Sequence, residues 1–361
     1  MVKHSTLSKK KRWLFALIYY PVAALSILLL AEGSARILGY RPWKTAKLDV
    51  VVEPGGRLYT PNPTLGYTAL PGKFKVTLAG SYSFNITNLD NTLRVTHALE
   101  TTPDKTKTRV WIFGDSITYG WSINDNETYP WLLQQKLPDC ELINFGVNGY
   151  GTLQSLIQLR EALKSGAEPK VVVLTYASWH DARNTFIRGR GKMLAAAASL
   201  GAVNQPYARL DSSGQLRVAS DVLGYREFPL MRYSALMNAL EESYDRYEER
   251  HARSHEITKA IIKEFADLCK ARGIELVVAA LTSDPTTLDM LRYCKSEGVK
   301  TVDIWVDYLN IKENNNLPYD SHPSAIAHRQ YAQKLELFLR TNVLNHSFTK
   351  LNAIGPENRN N

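Results

Sequence analysis

The chain has 361 residues, 44% of them hydrophobic and 22% charged, which excludes wholesale disorder and leaves room for one large domain or two small ones. The net charge is +9, but Lys3, Lys9, Lys10, Lys11 and Arg12 supply five of those charges, so the rest of the chain carries +4. With no zinc-finger spacing and no aromatic–basic RNA-binding motif, nothing points to nucleic acid as a partner. Three cysteines without a CxxC exclude a disulfide scaffold and a thiol metal site. They read as small buried hydrophobes, with a Cys269–Cys294 bridge as the alternative in an exported domain.

Residues 1–12 read as a basic cytoplasmic tail. Residues 13–31 contain no charge and are mostly Leu, Ala, Ile, Val and aromatic. As a helix they extend about 28 Å, enough to cross a bilayer core of roughly 30 Å. The Lys9–Arg12 run ahead of them predicts a cytoplasmic amino terminus and an exported body. A cleaved signal peptide is the rival reading. The length of the apolar stretch and the poor cleavage site at Ala31-Glu32-Gly33-Ser34-Ala35 favour an uncleaved anchor.

Residues 32–107 read as a juxtamembrane helix, ending near Gly39-Tyr40-Arg41-Pro42, and a lead-in of short strands. Alternation in Lys73–Leu78 and Tyr82–Ile86 marks two of those strands. From 108 to 341 the pattern changes. Apolar strand-like runs at 109–113, 141–145, 170–176, 274–281 and 299–304 alternate with helix-like segments at 128–137, 152–165, 235–271, 285–296 and 324–341. This rhythm predicts parallel pairing in a three-layer α/β/α sandwich. Residues 185–234 interrupt it with an Ala-rich stretch and a hairpin around Leu210–Leu216. As an insertion after a strand's carboxyl end, they are expected to lie over the active face as a lid or a substrate wall. The Asn-rich tail, 342–361, is expected to be disordered.

Chemistry is concentrated in three places. Val110–Phe113 runs into Gly114-Asp115-Ser116, and the carboxyl end of a strand is where α/β sheets place their reactive groups. Ser116 is the candidate hydroxyl nucleophile, and Asp115 reads as a turn or capping carboxylate. Asn144-Phe145-Gly146-Val147-Asn148-Gly149 follows the second strand. There Gly146 could present a backbone N–H and Asn148 a side-chain amide to an oxyanion. Near the carboxyl end, Asp320-Ser321-His322 precedes the last helix, with His322 as candidate base and Asp320 as its orienting carboxylate. His251 and His255, four residues apart on a highly charged helix, read as a solvated face and not as zinc ligands.

The order of these blocks resembles the SGNH (GDSL-type) hydrolase superfamily. Gly114-Asp115-Ser116 is similar to its first block, Gly146-Val147-Asn148 to its Gly-x-Asn block, and Asp320-Ser321-His322 to its last. The segments Thr64–Tyr67 and Asn91–Arg94, with the anchor, look like bacterial membrane-tethered members. The resemblance implies a flavodoxin-like sheet and ester chemistry on an acyl group. It also implies Ser116 as nucleophile and backbone oxyanion donor, with Gly146 and Asn148 completing the hole. Two departures stand out. The third block is usually Gly-x-Asn-Asp, whereas here Ser178-Trp179-His180-Asp181 aligns with it. His180 is therefore expected to donate to the oxyanion in place of the Asn, with Asn184 as a substitute. The last block is commonly Asp-x-x-His, one residue longer than here.

The function expected is hydrolysis of short acyl esters, such as O-acetyl groups, outside the cytoplasm and without cofactor or metal. The substrate expected is an acyl ester, an acylated carbohydrate among the candidates. Two alternatives use the same residues differently: a tethered O-acyltransferase modifying polysaccharide, and a non-catalytic carbohydrate-binding protein.

Overall fold

A computed structural model describes residues 9–44, 49–99, 107–166, 168–196, 200–201, 203–222 and 224–344. The chain divides into two units, one of residues 1–46 with 225–248 and the other of 47–224 with 249–361. The region expected to be a disordered tail lies outside the described residues from 345 onward.

The first unit begins with α1 (Lys9–Ile37), the only described helix long and apolar enough to cross a membrane. No break separates its apolar stretch from the juxtamembrane helix expected after residue 32: one helix runs through both and ends as the chain turns at Gly39. The same unit contains most of α7 (Ala235–His251), and the two are tied together chemically. The Glu32 carboxylate accepts from the Ser234 hydroxyl (2.7 Å) and from the backbone N–H groups of Ala235 (3.0 Å) and Leu236 (2.9 Å), capping the amino end of α7. Trp43 N–H donates to the Met231 carbonyl, and the Asn238 amide to the Arg41 carbonyl.

The second unit starts with the lead-in strands β1 (Val50–Glu53), β2 (Tyr59–Asn62), β3 (Gly66–Ala69), β4 (Gly72–Leu78) and β5 (Tyr82–Asn88). β1, β4 and β5 form an antiparallel sheet, and β2 pairs with β3 as a separate hairpin. The main sheet comprises β6 (Thr108–Phe113), β7 (Cys140–Asn144), β8 (Val171–Tyr176), β11 (Glu275–Ala280) and β12 (Lys300–Asp303). Every pairing in it is parallel, in the order β12-β11-β8-β6-β7. Numbered by their own succession, these strands run 2-1-3-4-5 across the sheet, the flavodoxin-like order, whose switch point lies between β6 and β8.

Alternation along each strand builds the two cores. Val110 and Ile112 face α3 (Tyr129–Lys136) and α10 (Ala325–Leu339), packing with Leu133, Tyr331 and Leu335. Trp111 and Phe113 face α4 (Thr152–Lys164), α8 (Ser254–Ala271) and α9 (Pro285–Ser296), packing with Leu156, Phe265 and Met290. Burial on both faces is why these strands read as continuous apolar runs. Cys140, Cys269 and Cys294 are buried and free, so the alternative of a Cys269–Cys294 bridge is not realised.

Within residues 185–234 lie α6 (Arg188–Ala196) and the antiparallel hairpin of β9 (Asn204–Leu210) and β10 (Leu216–Val222). The helix expected over 235–271 is two helices, α7 and α8, because Arg253 adopts a left-handed conformation between them. Two very short elements remain on each side of the site: α2 (Ser116–Tyr119) and α5 (His180–Arg183), and the paired strands β13 (Asn315–Asn316) and β14 (Asp320–Pro323).

The turn from β6 into α2 depends on two glycines. A Cβ on Gly114 would lie 2.0 Å from Thr175 Oγ1 and 2.2 Å from Thr118 Oγ1, and one on Gly146 would lie 2.5 Å from the Tyr119 backbone nitrogen. Neither neighbour is the flexible end of a long side chain. Gly114→Ala and Gly146→Ala are each expected to destabilise the protein by about 1–3 kcal/mol or more. Thermal unfolding followed by circular dichroism checks this, and an unchanged melting temperature would show that the turn yields.

Candidate active site

Ser116 opens α2 directly beyond the carboxyl end of β6, at the switch point of the sheet. Asp115 caps that short helix, its Oδ1 accepting from Ile117 N–H at 3.0 Å. The Ser116 backbone N–H finds no acceptor among the described residues, and the residue is 7% exposed.

The last block meets it across the site. His322 Nε2 lies 3.0 Å from Ser116 Oγ, and His322 Nδ1 lies 2.6 Å from Asp320 Oδ1. The Asp-x-His spacing works because both residues sit on β14, where positions i and i+2 share a face. Asp320 is further held by the His322 backbone N–H at 2.7 Å and by Trp121 Nε1–H at 3.1 Å. Burial pushes the Asp320 carboxyl up, but its bonds to His322 and Trp121 outweigh this and hold it below the ordinary carboxylate value.

Asp115 does more than cap. Its carboxylate is without solvent contact, and Oδ2 meets Trp179 Nε1 at 2.8 Å, His180 Nε2 at 3.1 Å and Arg183 Nη1 at 2.8 Å. Burial alone would raise its pKa. The hydrogen bond and charge of His180, then Arg183 and Trp179, drive it instead far below the usual carboxylate range. His180, expected to donate to an oxyanion, has a ring that is 1% exposed, with Nε2 facing the Asp115 carboxylate and Nδ1 without a hydrogen bond among the described residues. Asn184 is no substitute, since its amide bridges Leu153 N–H and the Thr258 hydroxyl inside the core.

The Gly146 N–H donates to Asn144 Oδ1 at 2.9 Å, and a Cβ at this position would meet the backbone of α2. Asn148 differs. It is half-buried, its side chain forms no hydrogen bond among the described residues, and its Oδ1 is covered, which leaves the Nδ2 edge open. His255 also departs from a solvated face. Its Nδ1 lies 2.7 Å from Asp181 and its Nε2 3.1 Å from Asp289, and the first of these bonds raises its pKa. Among the described residues, no cluster of three or more His, Cys, Asp or Glu could hold a metal.

Sequence reasoning missed Trp121, Trp179, Arg183 and Arg94. Arg94 is 1% exposed and wraps the far end of α2, donating to the carbonyls of Tyr119 (2.9 Å) and Ile123 (2.9 Å) and pairing with Asp125 at 3.0 Å. No local pattern marks these residues, because each acts through a partner more than thirty positions away or on another element.

No family model and no curated protein matches the chain. Solved structures similar to it include a putative lipolytic protein of the G-D-S-L family from Desulfitobacterium hafniense DCB-2, at 13% identity and a TM-score of 0.37, covering 64% of this chain and 99% of that one. A GDSL-like lipase from Bacteroides thetaiotaomicron VPI-5482 is 14% identical with a TM-score of 0.37, covering 67% and 93%. An acetyl xylan esterase from Geobacillus stearothermophilus is 14% identical with a TM-score of 0.35, covering 66% and 96%. Likeness this slight assigns no chemistry, and the roles proposed for the side chains rest on distances within the chain.

Replacing the buried anion is expected to be severe. Asp115→Asn leaves Arg183 facing a neutral group in a dry site, a change that costs about 3–5 kcal/mol when one partner of a buried pair is removed. The folded carboxyl titrates below its unfolded value of about 3.9, so its stabilisation is complete well above that pH and is lost as pH falls through the folded pKa. Urea unfolding between pH 7 and pH 3 should show a lower plateau and a flatter acid limb for the variant. Equal curves for the two proteins would remove Asp115 from this role.

Proposed function

We propose that the protein is a serine esterase that acts on short acyl esters and is tethered by α1 with its body outside the cytoplasm. The observation that carries this reading is the continuous relay from Ser116 Oγ to His322 Nε2 (3.0 Å) and from His322 Nδ1 to Asp320 Oδ1 (2.6 Å). A hydroxyl is a weak nucleophile until a base removes its proton, and an imidazole oriented by a buried carboxylate is such a base.

In this mechanism His322 Nε2 takes the Ser116 proton as Oγ attacks the ester carbonyl carbon. Negative charge gathers on the carbonyl oxygen, and the unpartnered Ser116 N–H and the open Nδ2 edge of Asn148 are its donors. One such donor is worth about 3 kcal/mol of barrier. Collapse of the tetrahedral intermediate breaks the bond to the alcohol, which leaves with the proton from His322. Water then adds to the acyl-enzyme with His322 again as base, releasing the acid and restoring Ser116. Gly146 and His180 stand behind the reacting groups: Gly146 admits α2, and His180 holds Asp115.

Retention of the anchor is supported by Glu32. Cleavage after Ala35 would remove the Glu32 carboxylate that caps α7 and leave Arg36 without that partner. The Lys9–Arg12 run keeps the preceding end in the cytoplasm.

Full-length protein in detergent is expected to hydrolyse p-nitrophenyl acetate and to react with a fluorophosphonate at Ser116. Ser116→Ala and His322→Ala should each lower turnover by at least about a thousandfold. Labelling that persists in Ser116→Ala, or its absence from the native protein, would refute the assignment and favour a non-catalytic binding role. Transfer of acetate to added oligosaccharide in preference to water would convert the reading to an acyltransferase. Mass spectrometry of the membrane-extracted chain should find peptides from residues preceding Ala31.

A further inference from the structure

The loop between β7 and α4 is held in an unusual way. Its carbonyl groups are caught one after another by side chains from distant parts of the chain. The Tyr67 hydroxyl, on β3 of the lead-in, donates to the Asn148 carbonyl at 2.6 Å. Arg190, on α6 of the insertion, donates from Nη1 to the Gly149 carbonyl at 2.9 Å. Arg183 donates from Nη1 to the Tyr150 carbonyl at 3.0 Å while also holding Asp115. The Tyr150 hydroxyl returns the contact by donating to the Tyr67 carbonyl. Among the side chains of residues 145–151, Asn148 is the polar one that forms no hydrogen bond.

The clamps hold Asn148's own carbonyl and the two that follow it, while the Val147 carbonyl before it accepts from the Tyr150 N–H at 3.2 Å. Gly149, at φ +76°, turns the chain beside it, and a Cβ there would lie 2.6 Å from the Tyr67 hydroxyl, so hydroxyl and loop are in contact. Fixing the carbonyls on each side of a residue fixes the direction in which its Cα–Cβ bond leaves the backbone. An amide so held needs no reorganisation when charge develops before it.

Arg190 adds a second property. It is 3% exposed, has no carboxylate partner among the described residues, and its Nη2 is buried without any hydrogen bond. Burial pulls its pKa down to about 10, so it is cationic at neutral pH. A buried cation is costly unless something offsets it. Here it lies against the Gly149 carbonyl, the one next to Asn148.

We propose that Tyr67 and Arg190 are positioning residues of the oxyanion side, aiming the Asn148 amide and biasing its surroundings toward negative charge. The lead-in hairpin and the 185–234 insertion are then working parts of the reaction centre. This rests on the reading of Ser116 as nucleophile and Asn148 as oxyanion donor.

The test is a double-mutant cycle on the full-length protein, with kcat and KM measured for p-nitrophenyl acetate. Tyr67→Phe and Arg190→Gln are each expected to lower kcat about ten- to a hundredfold, with KM changed less than twofold. Arg190→Lys should recover part of the loss by keeping the charge. In an Asn148→Ala background the same substitutions should have almost no further effect on kcat, because the group they aim is gone. A merely structural role would lower activity equally in both backgrounds. Equal losses there, losses confined to KM, or unchanged kcat in all variants would overturn the proposal. Should Arg190→Gln fail to fold, Tyr67→Phe, which removes one oxygen, decides by the same criterion. A native protein with neither turnover nor labelling at Ser116 is a different failure: it removes the esterase reading and this proposal with it.

Discussion

A carboxylate that water does not reach governs this site. Asp115 lies one residue before Ser116, and an ion so deeply buried persists only when donors surround it. It has four: one from its own short helix and three from Trp179, His180 and Arg183 beyond β8. Because β6 and β8 are neighbours at the switch point, these bonds lock the turn after one strand to the turn after the next. Arg183 extends the lock to the loop after β7 through the Tyr150 carbonyl. One anion thereby couples three of the loops at the carboxyl edge of the sheet.

The rest of the site is built by the same economy of burying charge only in company. Arg94 fills the space behind α2 and satisfies the carbonyls that so short a helix leaves open, with Asp125 as its counter-ion. Asp320 is drawn below its ordinary pKa by the histidine it orients and by Trp121, which follows Ser116 by five residues. The turn bearing Ser116 and the strand bearing His322 are therefore fastened to each other twice, through Ser116 with His322 and through Trp121 with Asp320. Arg190 breaks the rule, and that exception is what singles it out.

Much of this was legible beforehand. The five core strands and the helices at 129–136, 152–164 and 285–296 are written in local apolar periodicity, which burial on both sheet faces enforces. Ser116, Asn148, Asp320 and His322 stood out because turn chemistry and reactive side chains coincide there. What was not legible is of one kind. The Gly146 N–H meets Asn144 and His180 Nε2 meets Asp115, partners that no local pattern announces. His255 was assigned to solvent, although Asp181 and Asp289 lie on each side of it. The break at Arg253 falls inside a helical pattern that carries no glycine or proline to announce it.

By itself the sequence determined the strand–helix rhythm and the apolar amino-terminal helix, and it singled out a hydroxyl, an imidazole and a carboxylate that the fold brings within hydrogen-bond distance. These follow from short-range rules: periodicity, turn propensity and the chemistry of a side chain. Only the tertiary structure decided which hydrogen-bond donors remain open and which are already engaged. That depends on contacts such as Tyr67 with Asn148, or Arg183 with Asp115, between residues 68 to 81 positions apart. A backbone N–H or an imidazole has few places for a partner, and the fold, by choosing who arrives first, settles what each can do.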